Sequence, residues 1–150
     1  MAKKKLSEEQ KLRNRLVQNV NSRRNFLNRE GFRDAKNAFL EKFILCEIAI
    51  KIILTNYYKN IGEEKKVESV EMGLTTIKAA LKLAGYAPDD DMLNKMFLAK
   101  RARGQRSARD LRNGIVHDLS VNDIQEVVNR REELNQLLDG FFAFLVNPTV

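Results

Sequence analysis

Apolar residues recur at helical spacing along nearly the whole chain, and no stretch alternates at the period of a strand. Leu6, Leu12, Leu16 and Val20 mark one face of a first helix that ends near Phe26 and Leu27. Ser7, with Gln10 three residues on, makes a capping-box pattern at its start. Gly31 separates this helix from a second, expected from about Arg33 to Tyr58. Phe39, Leu40, Phe43, Ile44, Ile48, Ile52 and Ile53 make the middle of that helix apolar nearly all round, which places it at the centre of a bundle.

Residues 60–66 are mostly polar and read as a loop. A third helix is expected over Val67 to Leu83, closed by Gly85 as a C-cap residue. The run Asp89-Asp90-Asp91 follows Pro88 and reads as a turn and an acidic helix start, where carboxylates suit the dipole; three adjacent residues do not share a face as metal ligands would. A shorter helix carries Met92, Leu93, Met96, Phe97 and Leu98, and another segment spans about Ser107 to Val116. Ser120 with Asp123 opens a last helix expected to run unbroken towards Leu145. The pattern predicts an all-α up-and-down bundle of about five helices.

The 150 residues suit a single domain, residues 1–150, with Lys3 to Lys5 in a disordered N-terminal end. Only Pro88 and Pro148 occur, both outside the periodic segments. A net charge of +7 favours polyanionic partners. The basic start lacks the apolar core of a signal peptide, and the most apolar run, Phe43 to Leu54, is too short to span a bilayer and carries Glu47 and Lys51. One cysteine, Cys46, cannot form an intrachain disulfide. Together these features predict a cytoplasmic protein with no membrane partner.

The candidate chemistry centres on Arg112-Asn113-Gly114-Ile115-Val116-His117, which contains the only histidine. His117 can exchange a proton near neutral pH, and Arg112 can hold a phosphate through its fixed fork of donors. On a straight helix, residues four apart lie about 40° apart around the axis, so Asn113 and His117 share a face. Arg112 and His117, five apart, diverge by about 140°. They converge on one phosphate only if the helix ends near His117 or if two copies of the motif meet across a dimer. Gly114 permits close approach of another backbone, which fits the second arrangement.

The string from Asp110 to Asp118, in an all-helical chain of this size, resembles the HEPN superfamily: small helical bundles with an Arg, four to six residues, then a His, and often an Asn directly after the Arg. The resemblance implies a homodimer in which two Arg-His motifs share one cleft. It also implies, for many members, a metal-independent endoribonuclease needing no cofactor, with toxins and antiphage effectors among them. Here Arg112, Asn113 and His117 would be the catalytic residues. Members silenced by a nucleotidyltransferase antitoxin often carry a Tyr two residues after the His. This chain has Leu119 there, so an antitoxin or other regulatory protein would act differently.

Two readings fit Glu47: an i,i+4 ion pair with Lys51 on a solvated edge, or a fourth site residue facing the cleft and pairing with Arg112 or His117. Two also fit the series Lys100, Arg103, Arg106 and Arg109, which is either a solvated helix face or an RNA-binding track leading to the motif. Besides the ribonuclease, the sequence admits a non-catalytic helical dimer that binds a protein or nucleic-acid partner. A DNA-binding antitoxin-like protein ranks behind both, because no helix-turn-helix signature is present.

Overall fold

The computed structural model describes residues 7–62, 73–99, 102 and 104–147. Helices start where the sequence offers a cap. Ser7 and Gln10 form the reciprocal capping box of α1 (Glu8–Leu27), each side chain bonding the other's backbone N–H. The chain then turns at Gly31, whose φ of 76° lies in the left-handed region, into α2 (Phe32–Asn60). Phe26 and Phe32 meet edge to face across this corner, with the Arg29 guanidinium over the Phe26 ring. The third helix, α3, covers Leu74–Leu83. It closes as expected at Gly85, where the Tyr86 N–H reaches back to the Leu81 carbonyl. The rest of the segment expected for it falls among residues 63–72, outside the described residues.

Asp89 accepts from the Met92 N–H and starts α4 (Asp90–Phe97), so the acidic run is a cap. Ser107 does the same for α5 (Ala108–Asp118), and Ser120 for α6 (Val121–Asn129), which leads into α7 (Arg131–Val146). The described residues therefore hold seven helices and no strand: the all-α class stands, but the count of about five does not. The segment expected as one last helix breaks at Arg130, where φ is −105° and ψ 22°. Arg130 leaves helical geometry while its side chain is drawn into a polar cluster described below.

The core is a seam between α2 and its neighbours. Phe39, Phe43, Cys46, Ile50 and Leu54 form a buried stripe on α2, and Leu134, Leu138, Phe141 and Leu145 form its counterpart on α7. Phe43, Phe97 and Phe141 join them in edge-to-face contacts. Each such side chain contributes about 1.5–3 kcal/mol by leaving water, so the seam dominates the favourable side of folding. Leu111 and Ile115 anchor α5 to the same core, and Ile124 and Val127 anchor α6.

α2 is central, as its pattern predicts, yet not covered all round. Ile44, Leu45, Ile48 and Ile52 form an exposed strip on its outer side. The first helix is barer still: α1 contributes no buried residue, and Leu12, Leu16, Val17 and Val20 face solvent. Its last two turns are held, by Phe26 and Leu27 on the core and by Arg23 Nε donating to the Asp118 carbonyl at 2.8 Å. No described helix is long and apolar enough to cross a membrane.

Candidate functional site

α5 carries the motif, and a cluster of buried polar groups fixes where α5 begins. Glu126 is only 5% exposed. It accepts from the backbone N–H groups of Gly104 (2.5 Å) and Arg106 (3.1 Å) and from Arg130 Nη1 (2.6 Å). Arg130 also donates to the Arg106 carbonyl at 2.8 Å and makes a two-pronged contact with Glu133. Burial opposes its charge, but the Glu133 and Glu126 carboxylates outweigh that and hold the guanidinium above its ordinary value. Beside them Arg106 Nη1 pairs at 2.6 Å with the buried Asp123 carboxylate. The loop before α5 is thus bolted to α6 and to the first turn of α7.

This cluster settles the role of Gly114. A Cβ at that position would overlap the Asp123 carboxylate, so the glycine makes room for α6 of its own chain rather than for a second copy as expected. The α5–α6 turn is tight for the same reason. Leu119 adopts left-handed backbone geometry (φ 46°, ψ 44°), with its N–H bonded to the Ile115 carbonyl and that of Ser120 to the Gly114 carbonyl.

One turn along the inner face of α5, Arg112 meets Glu47 of α2: Arg112 Nε lies 3.5 Å from Glu47 Oε1. Both atoms are buried, and neither makes a hydrogen bond within the described residues. Arg112 Nη1 donates to Asn113 Oδ1 at 3.0 Å. Asn113 therefore steadies the arginine rather than the histidine with which it shares a face. Of the two readings of Glu47, the geometry favours the one that brings it to Arg112; no ion pair joins it to Lys51.

Arg112, Asn113 and Glu47 line a cavity of about 140 Å³, closed by Phe43 and Phe97 and shared with Arg109. Two arginines and an asparagine line this small cavity against a single carboxylate, Glu47, a balance of charge that an oxyanion can meet. Cys46 adjoins this region but is inert. Its Sγ donates to the Leu138 carbonyl at 3.6 Å, and burial, reinforced by Asp139 and Glu47, pushes the thiol up to about 12.

His117 stands apart. It is exposed in the last turn of α5, does not line the cavity, and is flanked by the exposed Val116 and Leu119. Because α5 stays helical through Asp118, the five-residue spacing keeps Arg112 and His117 on diverging faces. The helix does not end early enough to bring them together. The basic series also divides: Arg109 reaches the Arg112 cavity, Arg106 is held by Asp123, and Lys100 and Arg103 lie outside the described residues.

Sequence reasoning missed the Asp123–Glu126–Arg130 cluster. Its signal was present in α6, where two carboxylates three residues apart fall among Ile124 and Val127, on the face that periodicity assigns to the core. No family model matches the chain, and no curated protein or solved structure matches it either.

Proposed function

We propose that this chain is a HEPN-like up-and-down bundle acting as a metal-independent endoribonuclease, assembled as a homodimer with a composite active site. The observation that carries this reading is the state of Arg112. Its guanidinium sits on a cavity wall beside Arg109, oriented by Asn113 and Glu47, with a buried Nε that no acceptor bonds within the described residues. A buried donor whose facing carboxylate stands too far off to bond it, in an otherwise well-bonded fold, is a reason to look for a ligand.

RNA supplies its own nucleophile. The 2′-hydroxyl oxygen bonds to the adjacent phosphorus while one His117 takes its proton, and the bond from phosphorus to the 5′-oxygen breaks as the His117 of a second copy delivers a proton to that oxygen. The products are a 2′,3′-cyclic phosphate and a 5′-hydroxyl. Arg112, with Arg109 behind it, stabilises the charge that builds on the phosphorane oxygens. One histidine per chain and its divergence from Arg112 both call for two copies. A role as a cytoplasmic toxin or antiphage effector, restrained by a partner protein, is consistent with such an activity.

One observation favours the alternative, a non-catalytic helical dimer: Glu47 already opposes the charge of Arg112, as it would in a purely structural pair. RNA cleavage in excess EDTA separates the two readings. The enzyme reading expects cutting that survives the chelator, leaves cyclic phosphate ends and disappears in His117→Ala. A folded wild type that cuts none of several RNAs would establish the scaffold instead.

A further inference from the structure

The first four turns of α1 present a problem that their own chain does not solve. An isolated helix of about 12–15 residues is marginal in water, and most helical stability comes from packing an apolar face. Here that face consists of Leu12, Leu16, Val17 and Val20, and it lies largely open to solvent in the described structure. The strip on α2 has the mirror-image problem, in the middle of the most central helix. Members of the two strips are 44% to 62% exposed, far too bare for eight branched aliphatics in a domain with a well-filled core.

The two strips match. Each consists of four branched aliphatic residues and runs over nine positions, Leu12 to Val20 and Ile44 to Ile52, about 12 Å of helix from end to end at 1.5 Å per residue. Neither strip covers the other within one chain. We propose that they cover each other between two copies: α1 of each chain is an arm that lies along the α2 strip of the other, in a reciprocal exchange about a two-fold axis. Each copy then buries both of its strips, several hundred Å² of apolar surface, which approaches the roughly 800 Å² per partner of a standard stable interface. The arm departs from a fixed shoulder, since Arg23 of α1 holds the Asp118 carbonyl at the end of α5. The exchange thereby brings the second copy up against the helix end that carries His117.

This inference rests on the homodimer in the reading above and names the surface that makes it. Centre meets centre whichever way the arm runs, so Leu16 and Ile48 are the pair to join. Two full-length chains, one Leu16→Cys and one Ile48→Cys, are produced together and treated with a short bismaleimide; buried Cys46 stays silent, as the unaltered chain verifies. The expected result is a covalent dimer containing one chain of each kind, with little product from either variant alone. Leu16→Glu, tested at an exposed position that leaves the core intact, should weaken dimerisation by roughly a hundredfold or more in sedimentation, since each dimer loses two buried leucines. Sedimentation of the unaltered chain as a monomer at every concentration overturns the proposal. So does efficient linking of Ile48→Cys chains to one another, which would mean that α2 packs on α2 without the arm. Crossed linkage in a dimer that cuts no RNA would sink the ribonuclease reading and leave the exchange standing. RNA cutting by a monomer would overturn both the exchange and the two-copy active site, leaving only the cleavage activity itself.

Discussion

Two arginine–carboxylate clusters hold α5, and they are built to opposite standards. At the start of the helix, Glu126 accepts from three donors and Arg130 spends its fork on two carboxylates and a carbonyl, at distances of 2.5–3.2 Å. One turn into the helix, Arg112 and Glu47 face each other at 3.5 Å with no hydrogen bond between them. The residue types are the same, but the Arg130 and Glu126 side chains are 12% and 5% exposed, against 28% and 30% for Arg112 and Glu47. A pair that serves only to hold the fold gains most when every donor and acceptor is matched, because an unmatched buried group costs about 1–3 kcal/mol. The loosely matched pair is the one on a cavity wall.

The contrast is tested first at its strong end. Glu126→Ala leaves the Gly104 and Arg106 N–H groups without their acceptor and Arg130 partly unpaired in a buried place. The expected loss is about 3–5 kcal/mol in denaturant unfolding, the range for breaking a buried ion pair from one side. A loss below about 1 kcal/mol would mean that the cluster is not a fastening at all.

The next test is steric. In most helices Gly→Ala gains close to 1 kcal/mol. At Gly114 the added methyl meets the Asp123 carboxylate, so Gly114→Ala should instead lose about 1–2 kcal/mol, overpacking outweighing propensity. In an Asp123→Ala background the obstacle is gone, and the same substitution should turn stabilising. Additive effects in this double-mutant cycle would show that α5 and α6 do not meet at that point.

How much of this was legible beforehand depended on range along the chain. The capping box at Ser7, the turn at Gly85 and the Asp89 cap lie within a few residues of their partners, and local rules find them. The central place of α2 follows from its composition, since a helix so apolar must be enclosed on most sides. The pairing of Glu47 with Arg112 joins residues far apart in sequence; the pattern offered it only as one of two readings. The break at Arg130 was not readable, because it depends on the Arg106 backbone carbonyl, which only tertiary structure places beside a side chain whose glutamate partners are local. The bareness of α1 was not readable for a different reason. An amphipathic pattern states which face needs cover and is silent on what provides it.

The weak end of the comparison is Glu47, where stability and function should part. The Glu47 and Arg112 side chains are 30% and 28% exposed and make no aligned bond, so Glu47→Ala should cost less than about 1 kcal/mol in unfolding. If Glu47 serves to aim Arg112 at the cavity, the same substitution should slow RNA cleavage tenfold or more, because a guanidinium free to turn no longer meets the developing charge in place. Glu47→Gln separates aim from charge. Its amide oxygen can still face Arg112 Nε, so activity close to that of the unaltered chain assigns Glu47 a positioning role. A loss as large as that of Glu47→Ala assigns the role to the carboxylate charge. Should Glu47→Ala instead unfold the protein as readily as Glu126→Ala, the two clusters would be one kind of fastening, and the 3.5 Å gap would carry no functional meaning.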